Sequence, residues 1–118
     1  TPAQAQQALD AAQAVLGGPA AWAWDAAHLS YWGNEVELWA DGQLQRLDRL
    51  VRRADTGCWW VLDYKSALRP DQQSALREQL QRYHRALSQA HPGEPVRLAF
   101  INVRGELIEI PADAPSPT

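Results

Sequence analysis

The sequence predicts a mixed α/β (α+β) domain with a central sheet of about five strands flanked by helices. Two observations carry this prediction. Short apolar stretches of period two are separated by glycine-containing turns such as Asp41-Gly42, and longer stretches repeat every three to four residues. The chain is 118 residues long, 46% hydrophobic and holds six tryptophans, which is typical of one folded domain.

The predicted elements alternate in kind along the chain. A helix over 3–16 ends at Gly17-Gly18-Pro19, and an aromatic connector follows from Trp22 to Gly33-Asn34. Three strands joined by tight turns form an antiparallel meander over 35–39, 44–53 and 58–62. Pro70 opens a helix that runs to about Gln89, and two further strands cover 96–103 and 106–110. The strand at 58–62 is apolar on both faces, which predicts a central position in the sheet.

These elements are predicted to form a single domain over 1–118. The helix and connector occupy 1–33, the core 34–110 and a frayed tail 111–118. The sequence contains no methionine, not even at its start, which predicts a piece of a larger protein.

Composition excludes several classes of function. The net charge of −3 leaves any nucleic-acid contact to a local patch. Cys58 is the single cysteine, so an internal disulfide and a cysteine-based zinc site are excluded. No apolar run reaches the roughly 18 residues of a membrane span, so no membrane partner is predicted.

The basic residues are strongly biased, because ten are arginines and the only lysine is Lys65. Lysine has a compact, rotatable ammonium group, whereas arginine is a rigid and permanently charged fork. Lys65 follows Asp63 by two residues at the end of the apolar strand, so both side chains are expected on one face. Counting outward from the turn at 54–57 pairs Asp48 with Asp63 on the neighbouring strand. Two carboxylates and an ammonium group at a strand end predict a divalent-metal site.

Three motifs occur in a fixed order: Gly42-x5-Asp48-Arg49-Leu50, then Asp63-Tyr64-Lys65-Ser66, then Gln79-x3-Tyr83. This ordered set resembles the PD-(D/E)xK nuclease superfamily, and within it the nuclease domains of RecB and AddA. The resemblance covers roughly residues 35–110. It implies a restriction-endonuclease-like core and a Mg²⁺-dependent deoxyribonuclease, with Mn²⁺ as a substitute metal.

The resemblance also implies roles for single residues. Asp48 and Asp63 would bind the metal with the backbone carbonyl of Tyr64, and Lys65 would be the catalytic lysine. Gln79 and Tyr83, one helical turn apart, would support the site or hold the DNA.

The resemblance further implies partners and a cellular setting. The domain would belong to a UvrD/Rep-like helicase-nuclease of the exodeoxyribonuclease V type, in the bacterial cytoplasm, acting in double-strand-break repair. A helicase motor in the same chain would deliver single-stranded DNA, with a second subunit as a further partner.

Two positions bear on whether the site is complete. Related domains carry a metal-binding histidine upstream, and His28 is the only histidine before the first predicted strand. Its setting beside Leu29 departs from the family pattern. Glu35 is a candidate extra acid, since it stands where the family has a glutamate that opens strand one.

Other interpretations of the same residues stay open. Asp63 and Lys65 also fit a simple ion pair at a strand end, and Tyr83 fits a core position beside Leu80 and Leu87. The domain as a whole also fits a catalytically inactive module that binds DNA or a protein, or a stand-alone dimeric endonuclease. The arginines of the second strand suggest a DNA-backbone patch, although alternation divides them between the two faces: Arg46, Arg49, Arg52 and Arg53.

Overall fold

The fold was obtained as a computed structural model, which describes residues 20–40 and 42–112 together with Pro2, Ala3, Gln6 and Gly18. The helix predicted over 3–16 falls almost entirely outside the described residues, as does the tail from 113 onward. Within the described part the elements are β1 (Leu29–Ala40), β2 (Gln43–Arg53), β3 (Trp59–Tyr64), α1 (Ser74–Ala90), β4 (Val96–Ile101) and β5 (Leu107–Ile110). No helix in the described ranges is both long and apolar enough to cross a membrane.

The five strands form one mixed sheet in the order β1-β2-β3-β4-β5. The first three strands are antiparallel neighbours, as the meander prediction required. β3 and β4 run parallel, and α1 supplies the crossover that two parallel neighbours need. β5 returns antiparallel to β4 and lies at the edge of the sheet. The α+β class and the mixed five-stranded sheet are therefore confirmed for the described residues.

Each face of the sheet carries its own apolar cluster. α1 packs its buried side chains, Leu80, Tyr83 and Leu87 among them, against one face of β2, β3 and β4. The opposite face is covered by short 3₁₀ turns at Ala21–Trp24 and Ala26–His28, with Trp22 and Trp24 packed onto the sheet. β3 is buried on both faces, so its prediction as a central strand is confirmed.

Two predicted boundaries were wrong. The connector was expected to reach Gly33-Asn34, but β1 already begins at Leu29 and Gly33 pairs with Leu50. The long partner strand overrides the local turn signal, and a side chain at Gly33 would place its Cβ 2.9 Å from Val36 Cγ2. The predicted helix start at Pro70 opens instead a separate 3₁₀ turn at Pro70–Gln72, and α1 begins at Ser74 after the extended Gln73.

Candidate functional site

Asp48 and Asp63 meet where β2 separates from β3. The register pairs Arg49 with Leu62 and Leu50 with Val61, so the next step along the ladder sets Asp48 opposite Asp63, as predicted. Ladder pairing stops at Arg49, and the Asp48 carboxylate instead accepts the backbone N–H of Tyr64 at 2.9 Å. The side chain of Asp48 thus replaces a strand-to-strand bond at the point where the sheet opens.

Asp63 is a buried carboxyl beside a second carboxyl. Only 3% of the residue is exposed. Burial first, and then the hydrogen bond and negative charge of Asp48, raise the pKa of Asp63 to about 7. Its Oδ2 atom is buried, and among the described residues its partner is the ammonium group of Lys65. A buried carboxylate oxygen is costly unless a cation or a proton compensates it, so this atom is a site for positive charge.

Lys65 supplies one cation at this oxygen. Its Nζ lies 3.1 Å from Asp63 Oδ2 as an ion pair, with a quarter of the lysine side chain exposed. The same ammonium group donates a hydrogen bond to Gln79 Oε1 at 3.4 Å. Gln79 of α1 therefore holds the head of Lys65, whose backbone directly follows the end of β3. The predicted grouping of Asp63, Lys65 and Gln79 is present in the structure.

Tyr83 belongs both to the core and to this group. Its ring packs in the apolar cluster under α1. Burial, followed by the charges of Asp63 and Asp48, raises the pKa of the Tyr83 hydroxyl, while its hydrogen bond with Gln79 acts in the opposite direction. The core interpretation and the supporting role predicted for Tyr83 are thus compatible. For the Tyr64 carbonyl, metal binding stays a prediction.

A divalent metal is the group that the sequence predicts here. Among the described residues, no three His, Cys, Asp or Glu side chains converge as a ready-made cluster. Mg²⁺ needs fewer protein ligands, because it commonly binds one or two carboxylates and completes its octahedron with water and phosphate oxygens. Asp48 and Asp63, with Lys65 paired to Asp63 Oδ2, fit that donor set.

Glu35 lies on β1, on the side of Asp48 that faces away from Asp63. Its neighbours Asn34 and Val36 pair with Arg49 and Leu47, which places Glu35 level with Asp48 on β1. Glu35 has a φ of 50°, so this exposed residue sits in the left-handed region that few non-glycine residues adopt. Next to it opens a cleft of about 400 Å³ lined by Trp24, Asn34, Glu35, Asp48 and Tyr64.

Arg49, one of the four arginines considered for a DNA-backbone patch, is buried next to Trp24 and Asn34, which line this cleft. Its guanidinium group donates to the Ala23 carbonyl at 3.1 and 2.8 Å and to Asn34 Oδ1 at 2.7 Å. The rings of Trp24 and Trp32 lie 4.6 and 5.6 Å from the guanidinium carbon. Burial lowers the pKa of Arg49. One sequence signal for this contact is an arginine on β2 together with the tryptophan-rich segment before β1. Sheet alternation alone does not reveal it.

The other three arginines of β2 also have protein partners. Arg46 pairs with Glu37, Arg52 with Glu94 and Arg53 with Asp55, each within 3.0 Å. These ion pairs reduce the positive charge that the strand offers to DNA.

His28 does not join the carboxylates. His28 immediately precedes β1, at the end of the strand where Leu29 pairs with Arg53. Its Nε2 lies 3.5 Å from Asp25 Oδ2. At about 3.3 Å per residue, that end is roughly 20 Å along the strand from Glu35. His28 therefore lies away from the two aspartates, in keeping with its departure from the family pattern.

Comparison with protein-family models, with curated proteins and with solved structures gave no match. The resemblance to nucleases therefore rests on the three sequence motifs alone.

Proposed function

We propose that this domain is a Mg²⁺-dependent deoxyribonuclease that hydrolyses phosphodiester bonds. One observation carries the proposal. Asp63 is buried beside the Asp48 carboxyl, and its Oδ2 is paired with the single ammonium group of Lys65 at 3.1 Å. Two carboxylates side by side, one of them buried, destabilise each other unless a proton or a cation compensates their charge, and Lys65 offsets only one of the two. A divalent cation at the pair would offset the rest.

In hydrolysis, a water oxygen forms a bond to phosphorus and the bond from phosphorus to the leaving sugar oxygen breaks. The proton released by the water is balanced by protonation of the leaving oxygen. When bound at the two aspartates, Mg²⁺ would supply a water of lowered pKa and offset charge on the phosphoryl oxygens. Asp48 is fixed by the Tyr64 N–H, so one of its oxygens is held in place before any ligand arrives.

Lys65 is suited to orient the attacking water or to offset phosphate charge. Its ammonium group is held by Asp63 and Gln79 and is still partly exposed, so it can reach a substrate. A guanidinium group in this place would bind a carboxylate with two parallel bonds and would not rotate in the same way.

Finer parts of the proposal come from the motif resemblance. They are a restriction-endonuclease-like core, membership of a RecB/AddA-type helicase-nuclease, and single-stranded DNA as the strand delivered by the motor. The mixed sheet with α1 across β3 and β4 is compatible with such a core.

The test is a nuclease assay with Mg²⁺ on single- and double-stranded DNA. We expect Asp63→Asn and Lys65→Met to lose cutting by at least about 10²-fold, and Lys65→Arg not to restore it. Asp55→Asn is the matched control, because Asp55 lies in the exposed turn at the opposite end of β3. Cutting by Asp63→Asn and Lys65→Met at the rate of the control would overturn the proposal.

A second candidate function is a nuclease-like module that binds DNA or a protein without catalysis. It is favoured by the depth of Asp63, which is 3% exposed and does not line the cleft that Asp48 and Glu35 share. Metal titration separates the two functions. Binding of DNA with no detectable Mg²⁺ or Mn²⁺ binding at millimolar concentration would favour the inactive module.

A further inference from the structure

The cleft beside Asp48 has two aromatic walls. Trp24 comes from the 3₁₀ turn before β1, and Tyr64 is the last residue of β3. Their ring centroids lie 6.2 Å apart with the planes tilted by 47°. Both rings border a space of about 400 Å³, which is large enough for a planar group of nucleobase size. Aromatic faces of this kind stack on any base.

The polar lining of the cleft is rich in hydrogen-bond acceptors. Glu35 and Asp48 contribute carboxylates, and no positively charged side chain is among the residues that line it. The guanidinium group of the neighbouring Arg49 already donates hydrogen bonds to the Ala23 carbonyl and to Asn34 Oδ1. Because Asn34 Oδ1 is held there, the amide presents its NH₂ group as the donor. A phosphate is repelled by such a lining, whereas a neutral base with an amino group is matched.

The backbone at Glu35 also requires an explanation. A glutamate at a φ of 50° in the middle of a strand is strained, and glycine would adopt that conformation freely. Strain of this kind persists where the surrounding structure imposes it, and it is concentrated at binding and catalytic sites. Here it places an exposed carboxylate level with Asp48 at the cleft.

We propose that this cleft holds one unpaired base of single-stranded DNA, next to the phosphate that a metal ion at Asp48 and Asp63 would hold, and that it prefers bases carrying an exocyclic amino group. The assignment rests on the proposed nuclease function for its substrate class. Adenine, cytosine and guanine each offer amino hydrogens to Glu35 and a ring or carbonyl acceptor to Asn34. Thymine has no amino group, and its single N3–H donor is flanked by two carbonyl oxygens that an acidic lining disfavours.

The first experiment measures binding without hydrolysis. Labelled oligo(dA), oligo(dC) and oligo(dT) of equal length are titrated with the protein in EDTA and followed by fluorescence anisotropy. We expect oligo(dA) and oligo(dC) to bind more tightly than oligo(dT).

Trp24→Leu should weaken binding by about tenfold, the effect of losing one stacked base. Trp39→Leu is the matched control, since Trp39 is 72% exposed on β1, the strand that carries Glu35, and does not line the cleft. Equal affinity for all three oligonucleotides, or equal binding by both tryptophan variants, would overturn the proposal.

The second variant is Glu35→Gly, which keeps the test valid if Trp24→Leu fails to fold. Glycine relieves the strain, so its melting temperature should rise, while the preference for oligo(dA) and oligo(dC) should disappear. A variant that is more stable and keeps the base preference contradicts the proposal.

Failure of the cleft assignment is distinguishable from failure of the nuclease. Asp63→Asn should lose cutting and keep the base preference in EDTA, because Asp63 does not line the cleft. If Asp63→Asn cuts like the native protein, the proposed nuclease function fails. The binding experiments then still test whether the cleft holds a base.

Discussion

The Asp48 carboxylate accepts the backbone N–H of Tyr64 at 2.9 Å, one step beyond the last ladder pair between β2 and β3. This bond fixes Asp48 at the opening of the sheet and leaves its second oxygen for another partner. Because Asp63 lies opposite and is 3% exposed, the half-buried Asp48 carboxyl lies between the buried Asp63 and the open cleft. The stability of the strand end and the chemistry of the site therefore depend on the same side chain.

Replacing Asp48 should show these two roles separately. Asp48→Ala leaves the Tyr64 N–H without its acceptor and should lower the free energy of unfolding by about 1–3 kcal/mol. Asp48→Asn retains an oxygen acceptor and removes the charge facing Asp63, so its cost should be smaller. Urea denaturation gives the free energies, and hydrogen exchange of the Tyr64 amide reports the bond directly. Equal costs for the two variants, with unchanged exchange at Tyr64, would argue against this role of Asp48.

The raised pKa of Asp63 predicts how stability depends on pH in the absence of metal. The unfolded carboxyl has a pKa near 3.9, and burial with Asp48 raises the folded value to about 7. Between these values the folded protein retains a proton that the unfolded chain has released. The contribution of Asp63 to the free energy of unfolding therefore falls as pH rises from about 4 to 7, by an amount on the order of 1–3 kcal/mol.

Urea denaturation in EDTA at several pH values measures this dependence. Asp63→Asn has no titrating group at this position, so the difference between it and the native protein isolates the contribution of Asp63. Asp55→Asn serves as the control, because Asp55 is an exposed turn residue whose pKa is lowered by its hydrogen bond with Arg53. A difference that stays constant with pH would show that Asp63 is ionised normally in the folded state.

Mg²⁺ should reverse the loss of stability at higher pH. A ligand that binds only the folded state stabilises it by RT ln(1 + [L]/Kd), or about 1.4 kcal/mol when its concentration is tenfold above Kd. We expect millimolar Mg²⁺ to raise the melting temperature of the native protein at neutral pH and to leave Asp63→Asn nearly unchanged. Differential scanning fluorimetry with Mg²⁺, and with Na⁺ at matched ionic strength, makes the comparison. An equal rise in both proteins would show that the metal binds elsewhere.

The pairing of Asp48 with Asp63 was predictable because a tight turn fixes the register of the strands that it joins. Side-chain alternation then placed Lys65 beside Asp63, and helical spacing placed Gln79 and Tyr83 together. These relations depend only on local periodicity and on one turn. They were accessible from the sequence for that reason.

The cleft was not predictable in the same way. Trp24 reaches it from a 3₁₀ turn whose position is set by bonds from Arg49 to the Ala23 carbonyl. Those bonds join residues 26 positions apart, and no short-range pattern encodes them. The left-handed backbone at Glu35 was missed because Gly33-Asn34 carried the local turn signal.

Arg49 should therefore be the arginine of β2 whose identity matters most for stability. Arg49→Lys retains a charge but cannot bond both the Ala23 carbonyl and Asn34 with a planar fork between Trp24 and Trp32. The buried ammonium group would lose hydrogen bonds, so we expect a loss of about 2–4 kcal/mol in the free energy of unfolding.

Arg46→Lys is the control, because Arg46 forms an exposed pair with Glu37 and such pairs contribute about 0–1 kcal/mol. Urea denaturation compares the two variants, and tryptophan fluorescence reports whether Trp24 and Trp32 leave the guanidinium site. If Arg49→Lys unfolds at the same urea concentration as Arg46→Lys, the 3₁₀ turn is held by other contacts. The cleft would then not depend on Arg49.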